Sequence, residues 1–251
     1  MIREQRAERS QNRVKKPSPA EPVTDLRRIK IVDNGEPLVD FTKVCPDVVL
    51  DTPRFTYRRE TYLRQGVAER LCQAVPYIPA GYRLAILEGW RAPHIQKRMY
   101  LTVWNRFKER HPNWSDVQLK RVVNRFTAPL HDRVPPPHST GAAMDVFLLD
   151  EQLKPVDMRS PYEWYDSTGF MLDAPRLTDE ARRHRHILHD ALTKAGITNY
   201  PAEFWHYSYG DQGWAYRGGH PNAIYGPITP DGWSPEPADV TDEPLVFRTG
   251  T

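Results

Sequence analysis

The order of helix-like and strand-like segments between residues 26 and 226 limits the possible folds more than any other feature of the chain. Helices are predicted over residues 57–74, 93–108, 115–126 and 178–195. Strands are predicted over residues 82–87, 144–149 and 204–209, and a short hairpin over residues 26–41, with its turn at Asn34-Gly35. Because these segments do not alternate in a regular βαβ pattern, we expect one α+β domain rather than a doubly wound sheet.

Both ends of the chain differ in composition from this core. Residues 1–25 are highly charged and contain three prolines between positions 17 and 22, so we expect a disordered segment there. Residues 227–251 contain five prolines and five acidic residues, and we expect them to be loose or to wrap around the surface. The folded domain is therefore predicted to span residues 26–226.

Charge and hydropathy argue against several classes of partner. The formal net charge is +3, but residues 1–16 carry six Lys/Arg and two Asp/Glu, so the rest of the chain has a net charge of about −1 and no basic face for nucleic acid. No apolar run approaches the roughly 18 residues of a membrane span, and the N-terminus lacks the apolar stretch of a secretory signal. We therefore expect a cytoplasmic protein that binds neither nucleic acid nor membrane.

Two short motifs supply the side chains of a catalytic zinc site. HSTGAAMD begins at His138 and ends at Asp145, and EFWH begins at Glu203 and ends at His206. A catalytic zinc ion usually has three protein ligands and leaves its fourth position to water, whose pKa it lowers to about 7. We predict that the two histidines and Asp145 bind one zinc ion per chain and that Glu203 takes the proton of the water. This combination is typical of a hydrolase.

Each motif also has a structural interpretation. The first could be a loop histidine followed by an aspartate that caps a helix or pairs with an arginine. In the second, Glu203 and His206 would point to opposite faces of a straight strand, so a metal site requires a bend between them. The combination favours the metal site, because burying an unpaired Asp145 among apolar residues would cost several kcal/mol and a metal ion would be its partner.

The two motifs, together with EGWRAP at residues 88–93, resemble the three signatures of D-alanyl-D-alanine dipeptidases of the vancomycin-resistance type. These enzymes belong to a zinc peptidase family that also contains D,D-carboxypeptidases, and the similarity runs in order from about residue 46 to residue 216. The resemblance implies a small α+β domain, in which helices pack against an antiparallel sheet and zinc lies in a central cleft. It also implies the same three zinc ligands, Glu203 as general base and Arg91 as the arginine that stabilises the transition state.

Recognition of a dipeptide requires an anion for its free amino group. In the family, an acidic residue eighteen or nineteen positions beyond the ligand Asp145 has this role, and the resemblance places Glu163 there, with Asp166 as the neighbouring alternative. The surrounding sequence YEWYDSTGF departs from the family's pattern. A second departure is Pro136-Pro137 before the first motif, where the vancomycin-resistance enzymes have serines.

The predicted function is zinc-dependent hydrolysis of D-alanyl-D-alanine or a close D,D- or L,D-dipeptide. One rival is a carboxypeptidase of the same superfamily that trims peptidoglycan stem peptides, and the missing signal peptide argues against it. Another rival is a zinc-stabilised binding module without turnover. Glu203 and Arg91 argue against that rival, because a structural zinc site is closed by a fourth ligand and needs neither residue.

Other histidines, aromatic residues and cysteines are assigned structural roles. His184, His186 and His189 are spaced too unevenly around a helix to converge on one metal, and a solvated face is expected for them. His94 is expected at the surface or beside Arg91. Trp205 and Tyr207 are predicted to pack in the core, Trp90 to line the cleft, and Cys45 and Cys72 to be small buried hydrophobic residues without a disulfide.

Overall fold

The computed structural model describes residues 20–52, 55–129, 133–163 and 166–248. These residues form a single α+β domain, which confirms the predicted fold class. The strands are β1 Lys30–Ile31, β2 Leu38–Asp40, β3 Val49–Leu50, β4 Phe55–Thr56, β5 Tyr62–Arg64, β6 Tyr82–Glu88, β7 Ala143–Asp150, β8 Thr198–Asn199, β9 His206–Ser208, β10 Asn222–Ala223 and β11 Val246–Phe247.

A five-stranded sheet organises the domain, in the order β3-β6-β7-β9-β8. Strands β6, β7, β9 and β8 pair antiparallel, as the family resemblance implied, and β3 joins the edge of β6 in parallel. Within the sheet, Glu88 of β6 pairs with Asp145 of β7, and Asp145 pairs with His206 of β9. Three polar residues from three strands therefore lie side by side.

The helices are α1 Val23–Leu26, α2 Phe41–Val44, α3 Gln65–Ala74, α4 Pro93–Arg110, α5 Asp116–Val123, α6 Asp179–Lys194 and α7 Gln212–Gly218. Helices α4 and α6 follow the predicted segments closely. Pro93 occupies the first turn of α4, where a missing N–H costs nothing, and Thr178 caps α6 by accepting a hydrogen bond from the Ala181 N–H. No helix among the described residues is long and apolar enough to cross a membrane.

The main hydrophobic core lies between the sheet and helices α3 and α6. Alternate residues of β6 up to Ile86 and of β7 from Met144 to Leu148 point into it, and Ile86 and Val146 pair with each other. Leu71 of α3 and Leu188 of α6 pack in the same core and are fully buried. Since the side chains of a strand alternate, Asp145 lies on the opposite face of the sheet from this core.

The hairpin predicted over residues 26–41 is wrong. Gly35 does have a left-handed backbone conformation, with φ of +76°, but the segments on its two sides pair with other strands. Strand β1 pairs in parallel with β10, and β2 pairs antiparallel with β5. Alternation identified extended segments, but the choice of partner strand depends on contacts that are distant in the sequence.

Three other predicted elements are shorter than expected. The helix predicted over residues 57–74 begins only at Gln65, because residues 62–64 pair as β5 with β2. The helix predicted over residues 115–126 ends at Val123, and Ser115 and Gln118 form a capping box at its start. The strand predicted over residues 204–209 is restricted to β9, and the residues before it form a turn.

Residues 20–25 contradict the disordered segment predicted for residues 1–25. Val23 to Leu26 form helix α1, Leu26 is buried, and the side chain of Glu21 pairs with Arg217. The rest of that prediction, for residues 1–19, lies outside the described residues.

Residues 227–248 wrap around the domain, the second of the two predicted alternatives. Strand β11 pairs antiparallel with β4, and Leu245 is buried beside Tyr57 and Trp90 in a second hydrophobic cluster. The ring of Trp233 packs edge-on against Trp90, and its Nε1–H donates to Glu60. These contacts attach the segment to the same face of the molecule as helix α4, since Arg98 of α4 also bonds to it.

Candidate metal centre and active site

The three predicted metal ligands converge in the structure. Asp145 Oδ1 lies 3.1 Å from His206 Nδ1 and 3.4 Å from His138 Nε2, and the three donor atoms all lie within 4.8 Å of one another. Their side chains are largely buried, with exposed fractions of 6% for His138, 13% for Asp145 and 10% for His206. Within the described residues, no other cluster of His, Cys, Asp and Glu has this geometry.

This geometry fits a tetrahedral zinc ion. Ligand atoms about 2.0–2.2 Å from zinc at tetrahedral angles lie about 3.3–3.6 Å from one another. The two measured separations, 3.1 and 3.4 Å, are close to that range. Two imidazole nitrogens and one carboxylate oxygen also form a donor set found in catalytic zinc sites, where the fourth position stays open. The residues present therefore fit the ion that the sequence predicted.

His138 is held by its backbone surroundings. It lies in a single 3-10 turn, Pro137–Thr140, so the extended approach imposed by the prolines ends at Pro136. The carbonyl oxygen of Gly89 lies 2.8 Å from His138 Nδ1, which places the proton on that nitrogen and leaves Nε2 to face Asp145. Gly141 ends the turn with φ of +69°, and a Cβ there would lie 2.4 Å from the Leu38 side chain. Only glycine fits this position.

Burial and neighbouring charges set the protonation of the ligands. Burial and the nearby Arg91 lower the pKa of His138, so its imidazole is neutral near pH 7. Burial alone would raise the pKa of Asp145, but His138 and His206 outweigh it and hold that pKa well below its usual range. Burial would lower the pKa of His206, but the hydrogen bond with Asp145 and the negative charges of Asp145, Glu203 and Asp211 together outweigh this and raise it. Asp145 is therefore an anion that can pair with a cation.

Glu203 lies just before the turn that leads into β9. The Glu203 N–H donates to the Tyr200 carbonyl at 2.9 Å, and the His206 N–H donates to the Glu203 carbonyl at 3.2 Å. The bend that a metal site required is thus present, and Glu203 and His206 line the same cavity. Burial raises the pKa of Glu203 to about 7. A carboxyl group with such a pKa can both accept and return a proton near neutral pH.

Arg91 reaches the ligands from the loop between β6 and α4. Its Nη2 lies 3.6 Å from Asp145 Oδ2 and 3.5 Å from Glu88 Oε2, and its Nη1 donates to Gln96 Oε1 at 2.7 Å. The side chain is 8% exposed and lines the same cavity as Glu203. Three oxygen atoms therefore hold the guanidinium in one orientation.

Glu88 is a supporting residue that was not assigned a role from the sequence. The register shifts between Ile86 and Glu88, so this β-bulge turns Glu88 from the core face to the face of Asp145. The hydroxyl of Tyr57 donates to Glu88 Oε2, the same oxygen that faces Arg91. The available sequence signal is the acidic residue three positions before the arginine of EGWRAP.

The ligands, Glu203 and Arg91 share a cavity of about 330 Å³. Its lining is largely apolar and includes Trp205, which was predicted only to pack in the core and does both. Trp90, predicted to line the cleft, is instead fully buried, and its Nε1–H donates to the Ile228 carbonyl. The cavity volume lies in the range of small-molecule sites.

The predicted ammonium-binding residue is not brought to this cavity. Glu163 is exposed and does not belong to the described residues that line the cavity, and Asp166 accepts hydrogen bonds from the N–H and hydroxyl of Thr168. A role for Glu163 in substrate binding stays a prediction. Two other carboxylates do line the cavity, Glu21 and Asp211, and neither was selected from the sequence.

The remaining histidines have structural contacts. His184 was expected on a solvated face, but it is buried, with Nδ1 2.6 Å from the Asp157 carbonyl and Nε2 3.1 Å from the Tyr82 hydroxyl. His186 is partly exposed and pairs with Asp173. His94 stacks on Trp233, at a centroid distance of 6.0 Å.

The fold and this set of side chains define a hydrolase in outline. Residues 38–225 match the sequence profile of the D-ala-D-ala dipeptidase family, Peptidase_M15, and the chain belongs to this family of peptidases. It is also 29% identical over 241 residues to a D-alanyl-D-alanine dipeptidase of Synechocystis sp., an alignment that covers 82% of this chain and 98% of that protein. The family resemblance inferred from the three motifs is confirmed.

Proposed function

We propose that this protein is a zinc-dependent dipeptidase that hydrolyses D-alanyl-D-alanine or a close D,D- or L,D-dipeptide. The convergence of the three ligand residues with Glu203 and Arg91 in one cavity carries the proposal. Family membership supports peptide-bond hydrolysis, and the name of the Synechocystis relative supports the substrate class.

Glu203 has the role of general base in this proposal. His138, Asp145 and His206 would hold one zinc ion, which when bound lowers the pKa of a water molecule to about 7. Glu203 accepts the proton of the water that attacks the scissile amide and then returns it to the leaving amine. Burial raises the pKa of Glu203 above its usual 4.5, to about 7 without a metal ion, and this shift toward neutral pH favours both transfers.

Arg91 stabilises the charge that forms during the attack. Negative charge gathers on the amide oxygen, and a fixed donor beside it typically contributes a factor of about 10²–10³ in rate. The contacts of the guanidinium with Glu88, Asp145 and Gln96 keep it from reorienting when a substrate binds. Preorganised donors are effective because no reorganisation is needed at the moment of reaction.

The rival functions make different demands on the site. A carboxypeptidase would accept substrates with a blocked amino group, whereas a dipeptidase would reject them. A zinc-stabilised binding module would need neither Glu203 nor Arg91. The small-dipeptide partner, the cytoplasmic location and the lack of nucleic-acid and membrane partners stay predictions.

The proposal is tested by measuring zinc content together with release of free D-alanine. The substrate panel contains D-alanyl-D-alanine, L-alanyl-D-alanine and N-acetyl-D-alanyl-D-alanine. We expect one zinc ion per chain and a clear preference for an unblocked dipeptide. Equal rates on the N-acetylated substrate would favour the carboxypeptidase, and bound zinc without hydrolysis would favour the binding module.

A further inference from the structure

The segment before the family-matched residues forms one wall of the active-site cavity. Glu21, Val23 and Leu26 line the same cavity as Arg91 and His206. The family match begins at residue 38, so this wall is a feature of this chain beyond the matched region. Glu21 is the charged residue of the wall, and its side chain is only 10% exposed.

Glu21 belongs to a small charged cluster. Its Oε1 lies 2.5 Å from Arg217 Nη1, and Arg217 Nη2 donates to Ser208 Oγ at 2.7 Å. The Ser208 hydroxyl donates in turn to Asp211 Oδ1 at 2.8 Å, and Asp211 is buried. Two carboxylates and one guanidinium give this cluster a net charge of −1. A monovalent cation would balance it.

The cluster presents the second oxygen of Glu21 in a fixed position. Arg217 contacts Oε1 and is itself anchored by Thr198, whose Oγ1 accepts from both Nε and Nη2. A Cβ added to Gly213 would lie 2.9 Å from Glu21 Oε2, 2.9 Å from Arg217 Nη1 and 3.5 Å from Asp211 Oδ1. Glycine at position 213, which also lines the cavity, therefore leaves space beside the charged cluster.

The surroundings of Glu21 favour an additional positive charge near its carboxylate. Burial raises the pKa of Glu21, and this effect and the repulsion from Asp211 exceed the opposing effects of Arg217 and His206. A carboxylate in such surroundings is stabilised by a further cation at its second oxygen, Oε2. Glu21 and His206 line the same cavity.

A dipeptidase has to recognise a protonated amino group at a set distance from the scissile amide. We propose that Glu21 binds the ammonium group of the substrate, with Arg217 as its positioning residue and Asp211 as the source of the second negative charge. This inference rests on the proposed function. It makes Glu21 a specificity-determining residue and assigns the role to the N-terminal segment rather than to Glu163.

The test compares kcat/KM for D-alanyl-D-alanine and for its N-acetyl form in wild type, Glu21→Gln and Glu21→Asp. Asp25→Asn is the matched control, because it alters an acidic residue that does not line the cavity, and Glu163→Gln tests the alternative ammonium site. Glu21→Gln is expected to raise KM for the free dipeptide by about 10- to 100-fold, the equivalent of one charged hydrogen bond. The kcat for the free dipeptide and the kcat/KM for the N-acetyl substrate should change little. The preference for the free dipeptide, expressed as the ratio of the two kcat/KM values, should therefore fall. Glu21→Asp should keep part of the preference for the free dipeptide, and Asp25→Asn and Glu163→Gln should both keep it in full.

The outcomes separate the inference from the proposed function. If wild type prefers the free dipeptide and Glu21→Gln prefers it equally, Glu21 is not the ammonium site and the dipeptidase function stands. If only Glu163→Gln loses the preference, Glu163 is the ammonium site. If wild type cleaves both substrates at similar rates, both proposals are wrong. Circular dichroism and zinc content show whether Glu21→Gln is folded. If Glu21→Gln is unfolded, Glu21→Asp provides the test, and a preference for the free dipeptide equal to that of wild type would overturn the inference.

Discussion

Asp145 and His206 are register partners on β7 and β9, and their side chains meet with Asp145 Oδ1 3.1 Å from His206 Nδ1. Paired residues of antiparallel strands carry their side chains on the same face of a sheet, so the backbone ladder itself sets this contact. Glu88 pairs with Asp145 from the other side. His138 comes instead from a turn, and its position depends on Gly141 and on the carbonyl of Gly89.

His138→Ala is expected to lose metal and activity together, because two remaining ligands hold zinc far more weakly than three. Metal analysis of the purified protein and the D-alanine assay measure the two effects. His186→Ala is the matched control, since His186 is partly exposed and pairs with Asp173 away from the cavity. Stoichiometric zinc in His138→Ala would show that the ligand assignment is wrong.

Glu203→Gln is expected to keep its zinc and fold and to lose about 10²–10⁴ in kcat, the usual contribution of a general base. The amide can hydrogen-bond to water but cannot take its proton. Steady-state kinetics with parallel zinc analysis measure this. A kcat within about tenfold of wild type would mean that another group is the base.

The activity is expected to fall as the pH is lowered through the pKa of Glu203. Burial raises that pKa from 4.5 to about 7, and only the deprotonated form can accept a proton. A bound zinc ion would lower the pKa, so the acidic limb of kcat/KM should lie between these two values. The measurement is a pH profile at saturating zinc. A rate that stays constant down to pH 4 would contradict the assignment of Glu203.

Arg91→Lys is expected to lower kcat by about 10²–10³ while zinc stays bound. Lysine keeps the charge, but it lacks the planar group that contacts Glu88, Asp145 and Gln96 at once. Arg83→Lys, on the same strand as Glu88 and absent from the cavity lining, is the control. An unchanged kcat in Arg91→Lys would give Arg91 a purely structural role.

Leu245→Ala is expected to lower the free energy of unfolding by about 2–5 kcal/mol, the usual cost of removing a buried leucine side chain. Leu245 is 3% exposed and packs in the cluster of Tyr57 and Trp90. The neighbouring Val246 is 67% exposed, so Val246→Ala should change stability by no more than about 0.5 kcal/mol. Urea denaturation of both variants measures the difference. Equal stabilities would mean that residues 227–248 do not support the domain.

Local features of the sequence determined the elements with strong start and stop signals and the composition of the site. Pro93 and the Thr178 cap mark helices α4 and α6, because both act on the backbone next to them. The motifs that contain His138, Asp145, Glu203 and His206 likewise carry their chemistry in the residue types themselves.

The tertiary structure alone decided which distant segments meet. Contacts between residues far apart in the chain select the strands that pair with β1 and β2. Such contacts also set the late start of α3 and hold residues 227–248 against the domain. The position of Glu21 beside Arg217 is of the same kind, since 196 positions separate the two residues. Such contacts leave no periodic or capping pattern in the local sequence. The free energy that selects them comes from apolar burial and strand pairing between distant segments in the folded state.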